Sequence, residues 1–413
     1  MKRLLLCCLA WPLLTAAAEY PDLPPAEMAE KVLRAHPAVR AALAGVDVGE
    51  ARRDQWQAGP HEFNLRLGGA QRRDREADRS LREREIGIER AIRLPGKAAK
   101  DAAIGDSVFE EARHSHGDAL HETARLLLKR WFDWRREQAA ADEWRQQEAL
   151  LGQQLAIAEK RVAAGDAARI EALLAAAQHT QAEARRTEAE SRVRLATGEL
   201  AVQFPALVLP ARLPAPAPRP LDQGFEAWRE KILEHSHELQ VARSAAQRQQ
   251  LQAQRADADR LPDPTVGVRW ASERDGQERL VGLQLSFPLP GEARAATARA
   301  AQAETAAAAA REALVLAKVE AEARRSYQQA LAAHAQWQGL ADVAARMDEN
   351  VRLLDKAWRL GEGQIADLLN ARRQSAEARL AAAQAALDAA EARYRLLLDT
   401  HQLWPLDAGD GGH

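Results

Sequence analysis

Two periodicities alternate along this chain. Over 26–57, 97–163, 167–202, 223–260, 292–359 and 364–403, apolar and small residues recur every three or four positions, the spacing of helices with a buried stripe. Between the first and second block of each half the period drops to two. Phe63, Leu65 and Leu67 alternate with Asn64 and Arg66, and Ile86 and Ile88 with Gly87 and Glu89. Later, Val266, Val268 and Trp270 alternate with Gly267 and Arg269, and Val281, Leu283, Leu285 and Phe287 with Gly282, Gln284 and Ser286. Each pair of runs flanks a polar turn, so the pattern predicts one β-hairpin near 62–94 and another near 264–289. A soluble hairpin with one face on a core has the same alternation, so periodicity by itself leaves open whether these strands meet lipid.

The chain is written twice. Leu94-Pro95-Gly96 recurs as Leu289-Pro290-Gly291, Gly165 as Gly361 and Gln178 as Gln374, at offsets of 195 or 196. An apolar seam, Leu151, Leu155, Ala158 and Val162, returns in register as Met347, Val351, Leu354 and Trp358. A constant offset over this length marks a tandem duplication. The predicted organisation is a first repeat over 19–207, a proline-rich linker over 208–221 that is extended rather than folded, and a second repeat over 222–404. Gly96 to Gly165 spans 69 residues and Gly291 to Gly361 spans 70. At helical rise each is about 100 Å, far longer than a globular helix and suited to coiled-coil packing.

Composition narrows the function classes. Residues 1–18 read as a secretory signal, with Lys2 and Arg3, an apolar stretch and Ala16-Ala17-Ala18 as a cleavage site. Both cysteines, Cys7 and Cys8, fall inside it, so a mature chain would have no disulfide. Without Lys2 and Arg3, 56 basic residues face 60 acidic ones, interspersed rather than in blocks, which gives no basic stripe for nucleic acid. After the signal no apolar run approaches the ~18–20 residues of a membrane-spanning helix, so any crossing would be made by strands. Four strands cannot close a barrel that needs at least ~8, so several copies would have to share one. Residues 405–413 read as a disordered tail.

The secretion signal, the duplicated helix–hairpin–helix halves, the turns LPGK and LPGE, and the runs RVAAGDAARIEALL and WRLGEGQIADLLNARR resemble the outer membrane efflux protein family, the TolC-like channels. The turn from Ile92 to Lys97 and the short hairpin loops look most like its CzcC-like heavy-metal branch. The resemblance implies a mostly helical fold with β-hairpins and four transmembrane strands per protomer. It implies a homotrimeric α-barrel/β-barrel channel-tunnel, with its barrel in the outer membrane and its helical tube in the periplasm. The implied partners are a periplasmic adaptor and an inner-membrane RND transporter. The implied cargo is divalent heavy-metal cations, with small organic drugs as the variant. A periplasmic coiled-coil protein without a pore is the rival from another class.

The resemblance assigns roles position by position. Gly165 and Gly361 would be helical turns at the periplasmic tip, with Arg161, Gly165, Asp166, Arg359, Gly361 and Glu362 touching the adaptor; a plain helix C-cap glycine explains the same pattern. Asp367, with Asn370 one turn on and Glu171 in the comparable place of the first half, would narrow the closed tube; a solvated surface acid is the alternative. Pro95, Gly96, Pro290 and Gly291 form the strand-to-helix turns. Phe63, Leu65, Val281, Leu283, Leu285 and Phe287 are the candidate lipid-facing residues. Trp131, Trp134 and Tyr327 read as packing residues. His114, His116, His121, His235 and His237 read as solvent-facing rather than as a metal site, since a helical His-x-His splays its ligands. No nucleophile elbow, phosphate loop, zincin motif or dinucleotide fingerprint is present, so no catalytic residue, metal or cofactor is expected.

Overall fold

The structure, a computed structural model, describes residues 20–404. The signal segment and the tail after Trp404 lie outside the described residues. The predicted helical blocks are present, two of them divided. The first becomes α1 (Ala26–Ala35) and α2 (Pro37–Ala58), because His36 precedes a proline and takes an extended backbone, ψ 137°. After the strands β1 (Asn64–Asp74) and β2 (Arg79–Ala91), α3 runs over Lys97–Ala163 and α4 over Arg169–Gln203. The fourth block divides into α5 (Phe225–His235) and α6 (His237–Ala258). Ser236 caps α6, its hydroxyl accepting from the Leu239 amide at 3.3 Å. Strands β3 (Thr265–Glu273) and β4 (Glu278–Ser286), then α7 (Glu292–Arg359) and α8 (Ile365–Asp399), complete the second half. Among the described residues no helix is long and apolar enough to cross a membrane.

The chain divides into two compact units. One gathers residues 20–36, 123–228 and 325–404. Trp131 and Trp134 are buried there, as expected of packing residues, as is Phe132, and the Trp131 indole donates to the Asp22 carbonyl at 3.0 Å. Tyr394 donates to the Asp22 carboxylate at 2.6 Å; burial, then that carboxylate, holds the phenol proton well above its ordinary range. The proline-rich linker has neither helix nor strand, but it is tethered: Arg135 donates to the Pro214 carbonyl at 2.7 Å. The two predicted seams meet in this unit. Leu151, Leu155 and Ala158 join Val351, Leu354 and Trp358 in one apolar cluster completed by Ala175, Ala182, Ile365, Leu368 and Leu369.

The other unit gathers residues 37–122 and 229–324. Its four strands form one antiparallel sheet in the order β1-β2-β3-β4, with β1 and β4 as its edges. Register is continuous, Leu65 opposite Ile88, Ile88 opposite Val268, and Val268 opposite Leu283. One expectation fails in this unit: His116 and His121 are buried at 7% exposure each rather than solvent-facing. Helix α6 comes so close to α3 that the His237 ring lies 2.6 Å from where a Gly117 side chain would begin. A helix closely flanked by its neighbours leaves its polar side chains little access to water. Among the described residues no group of His, Cys, Asp and Glu is arranged to hold a metal ion.

Candidate functional site

The first candidate region is the sheet and its junctions with the helices. Alternation places Phe63, Leu65, Leu67, Ile86, Ile88, Val266, Val268, Trp270, Val281, Leu283, Leu285 and Phe287 on one face. That face is bare: Leu65 is 66% exposed, Val281 74% and Leu283 88%. The opposite face carries glycines and ion pairs, Arg66 with Glu89 at 2.9 Å and Arg269 with Glu85 at 3.4 Å. A water-soluble sheet hides its apolar face against a core; this sheet leaves its apolar face bare. Phe63 sits just before β1, and the Arg90 guanidinium stacks on its ring at 4.7 Å.

Below the strands lies a buried ion cluster. Lys97, the first residue of α3, is 2% exposed, and its ammonium donates to the Leu261 carbonyl at 2.6 Å and the Asp263 carboxylate at 2.8 Å. Asp259 lies 3.0 Å away. Asp263 also accepts from the Leu94 amide at 3.0 Å and pairs with the His61 ring at 2.8 Å. Burial raises the Asp263 pKa, but Lys97, Leu94 and His61 together outweigh it and hold the group at about 2. Alongside, Arg93 binds the Gln57 and Ala58 carbonyls and Asp101, and Arg255 binds both Asp101 and Asp259. Each charge therefore has several partners, the condition under which a buried ion cluster is tolerated. Gly96 turns the chain into α3 with φ +83°, the left-handed region where a side chain is strained.

The second candidate region is the pair of helical turns. Gly165 and Gly361 both take positive φ, +82° and +80°. In each turn the glycine amide bonds three residues back, to Val162 or Trp358, and the next amide bonds five back, Asp166 to Arg161 at 2.9 Å and Glu362 to Ala357 at 3.0 Å. Both turns are therefore Schellman motifs, a close match between the halves. Arg161 lies over the buried Trp358 ring at 5.0 Å, which brings one predicted residue from each repeat's end together. Arg359 is exposed and pairs with Asp355 at 2.8 Å; Gly165, Asp166, Gly361 and Glu362 are exposed.

Of the other predicted residues, Asp367 sits exposed in the first turn of α8, where a carboxylate suits the helix dipole. Asn370, also exposed, accepts from Arg373 at 2.9 Å. Glu171 holds the equivalent first-turn place in α4 and is half-buried. Sequence reasoning missed the cross-turn pair Arg372 and Asp355 at 2.8 Å, and the whole Lys97–Asp263 cluster. One signal for the cluster was present: Asp263 stands between Pro262 and Pro264, an acid fixed in rigid extended chain at the mouth of a strand.

No family model matches the chain, and no curated protein matches it in sequence. Solved structures do match. The CmeC outer membrane channel of Campylobacter jejuni superposes with TM-score 0.75 at 12% identity, covering 92% of this chain and 86% of that one. The outer membrane protein VceC of Vibrio cholerae gives 0.73 at 15% identity, covering 91% and 95%. The open state of the MtrE outer membrane channel of Neisseria gonorrhoeae gives 0.64 at 17%, covering 92% and 89%. Over nearly its whole described length, this chain has the fold of these outer membrane channels.

Proposed function

We propose that this chain is the outer-membrane subunit of a tripartite efflux pump, a duct rather than an enzyme. The observation that carries the reading is the sheet, apolar and bare on one face, ion-paired on the other. Four strands fall short of the ~8 a barrel needs, whereas three copies supply twelve, with the apolar face toward lipid and the Arg66–Glu89 and Arg269–Glu85 pairs toward the lumen. The helices form the periplasmic tube. The turns at Gly165 and Gly361, with Arg161, Asp166, Arg359 and Glu362, receive a periplasmic adaptor linked to an inner-membrane RND transporter. Three copies of Asp367 form a negative ring in the tube, favouring cations, with Glu171 in the comparable place of the first half; Asn370, one turn on, is neutral and adds no charge to the ring. Divalent heavy-metal cations are the cargo we assign, on the resemblance of the LPGK turn to the heavy-metal branch.

The test is native mass of the protein extracted from membranes in mild detergent, followed by conductance in a planar bilayer. Three chains of 45.4 kDa, less the first 18 residues of each, give about 130 kDa. A conducting assembly of that mass that loses insertion when Leu283→Lys and Leu285→Lys are introduced is the expected result. A monomer or dimer that never conducts would leave a structural coiled-coil protein as the better reading.

A further inference from the structure

The apolar face of the sheet ends abruptly, and arginine replaces it. In register, the last apolar row is Leu67, Ile86, Trp270 and Val281; the next toward the hairpin turns is Gly69, Arg84, Ser272 and Arg279. One row further, Arg82 stands opposite Gln71 on the same face. All three arginines are exposed. None has an ion pair among the described residues, although carboxylates are plentiful nearby. The glutamates Glu83, Glu85 and Glu89 of the same strand point to the other face and pair there with Arg72, Arg269 and Arg66. The contrast at the helix end is direct: Arg90, on the same apolar face, is engaged, stacked on Phe63 and donating to the His61 carbonyl at 3.0 Å.

Dimensions place the free arginines at a membrane boundary. From Phe287 to Val281 the apolar face runs about 20 Å along the strand, less once tilted, against an outward apolar band of about 25 Å in barrels of this kind. Arginines one and two rows beyond it are too close to hydrocarbon to be plain solvent groups, and long enough to reach the headgroups. Arg82 and Arg84 lie about 7 Å apart along the strand, and Arg84 and Arg279 about 10 Å across two strand spacings. Gly69, opposite Arg84, has open space where a side chain would begin. Planar guanidinium groups at this spacing suit phosphate oxygens, which accept in bidentate fashion.

We propose that Arg82, Arg84 and Arg279 form a binding surface for the phosphate groups of anionic lipid in the outer leaflet. The inference rests on the channel reading, which sets the hairpin turns on the outer side. Three copies around the barrel give nine arginines in one belt, each worth about a five-fold preference for anionic headgroups.

The test uses the full chain, purified in detergent, with conductance recorded first for every protein. Native mass spectrometry then counts retained lipid for two probes, a six-chain glucosamine disaccharide bearing two phosphates and the same lipid with both removed. The wild type should retain the phosphorylated probe at least about 10-fold better. The triple variant Arg82→Ser, Arg84→Ser, Arg279→Ser should lose that preference, and the triple lysine variant, which keeps the charge and guards against misfolding, should recover much of it. A conducting channel that retains both probes alike overturns this inference alone. Displacement of the phosphorylated probe by millimolar inorganic phosphate would make this a free-anion site and overturn the assignment to lipid. A chain that neither inserts nor conducts overturns the channel reading with it.

Discussion

The two strand-to-helix turns share Leu-Pro-Gly and have opposite surroundings. At the first, Leu94 binds Asp263 through its amide, Gly96 takes positive φ, and Lys97 is buried among carboxylates. At the second, Leu289 is 89% exposed, Pro290, Gly291 and Glu292 are exposed too, and Gly291 lacks a positive φ. Duplication supplied both turns with Leu-Pro-Gly, and divergence around it, Lys97 against Glu292 and Arg93 against Pro288, goes with their different surroundings. The first locks a hairpin to the segment that opens β3. The second is bound to nothing comparable in its own unit, which leaves it for a neighbouring copy in the proposed trimer. At the helical turns, by contrast, the halves stayed alike, down to the same pair of capping hydrogen bonds.

The largest expected effect comes from breaking the locked turn. Lys97→Met strands the Asp263 and Asp259 carboxylates without their ammonium and should lower unfolding stability in detergent by about 3–5 kcal/mol. Glu292→Ala at the free turn should stay within about 0.5 kcal/mol. Equal losses at both would show that the cluster contributes no more than a single exposed side chain.

A smaller effect is set by pH. Asp263 is held at about 2 against an ordinary 3.8, so its stabilising share is complete above pH 3.8 and lost as pH falls through 2. Between pH 5 and pH 2 the stability gap between wild type and Asp263→Asn should narrow by about 2 kcal/mol. A gap that does not move with pH would mean that the carboxylate is not held ionised by its partners.

The smallest effects separate the glycines. Gly165→Ala and Gly361→Ala should each cost about 1 kcal/mol or more, the strain of a side chain at positive φ, and by similar amounts. Gly96→Ala should cost the same, whereas Gly291→Ala should be neutral or slightly stabilising. Matching losses at Gly96 and Gly291 would erase the asymmetry between the junctions.

Much of this architecture is local and therefore legible in sequence. The helices follow from long proline-free runs, and the strands from alternation around Leu65 and Leu283. The seams that meet at Trp358 follow from the repeat. The helix boundary at His36 was written in Pro37, but proline is also welcome in a first turn, so the pattern alone reads through it. The ion cluster was hidden for a different reason: Lys97 and Asp263 lie 166 positions apart, and no periodicity couples a helix start to the loop before a strand in the other half. Buried His116 and His121 were misread because polarity along a helix reports exposure only when one side faces water. At the helical turns Gly165 and Gly361 were visible, while the Arg372–Asp355 pair was not, since its members sit on two helices joined by the turn.

The open edges of the sheet set the order of biogenesis. Strands β1 and β4 each carry one ladder of amides and carbonyls that their own chain does not pair. In hydrocarbon every such group left unpaired costs several kcal/mol, and in water the same edges invite promiscuous strand addition. For a chain that crosses a bilayer by these strands, a single copy laid down first and joined by others later is therefore the forbidden route. Copies must zip edge to edge before or during entry, and the yield of inserted protein should climb more steeply than linearly with the supply of chains.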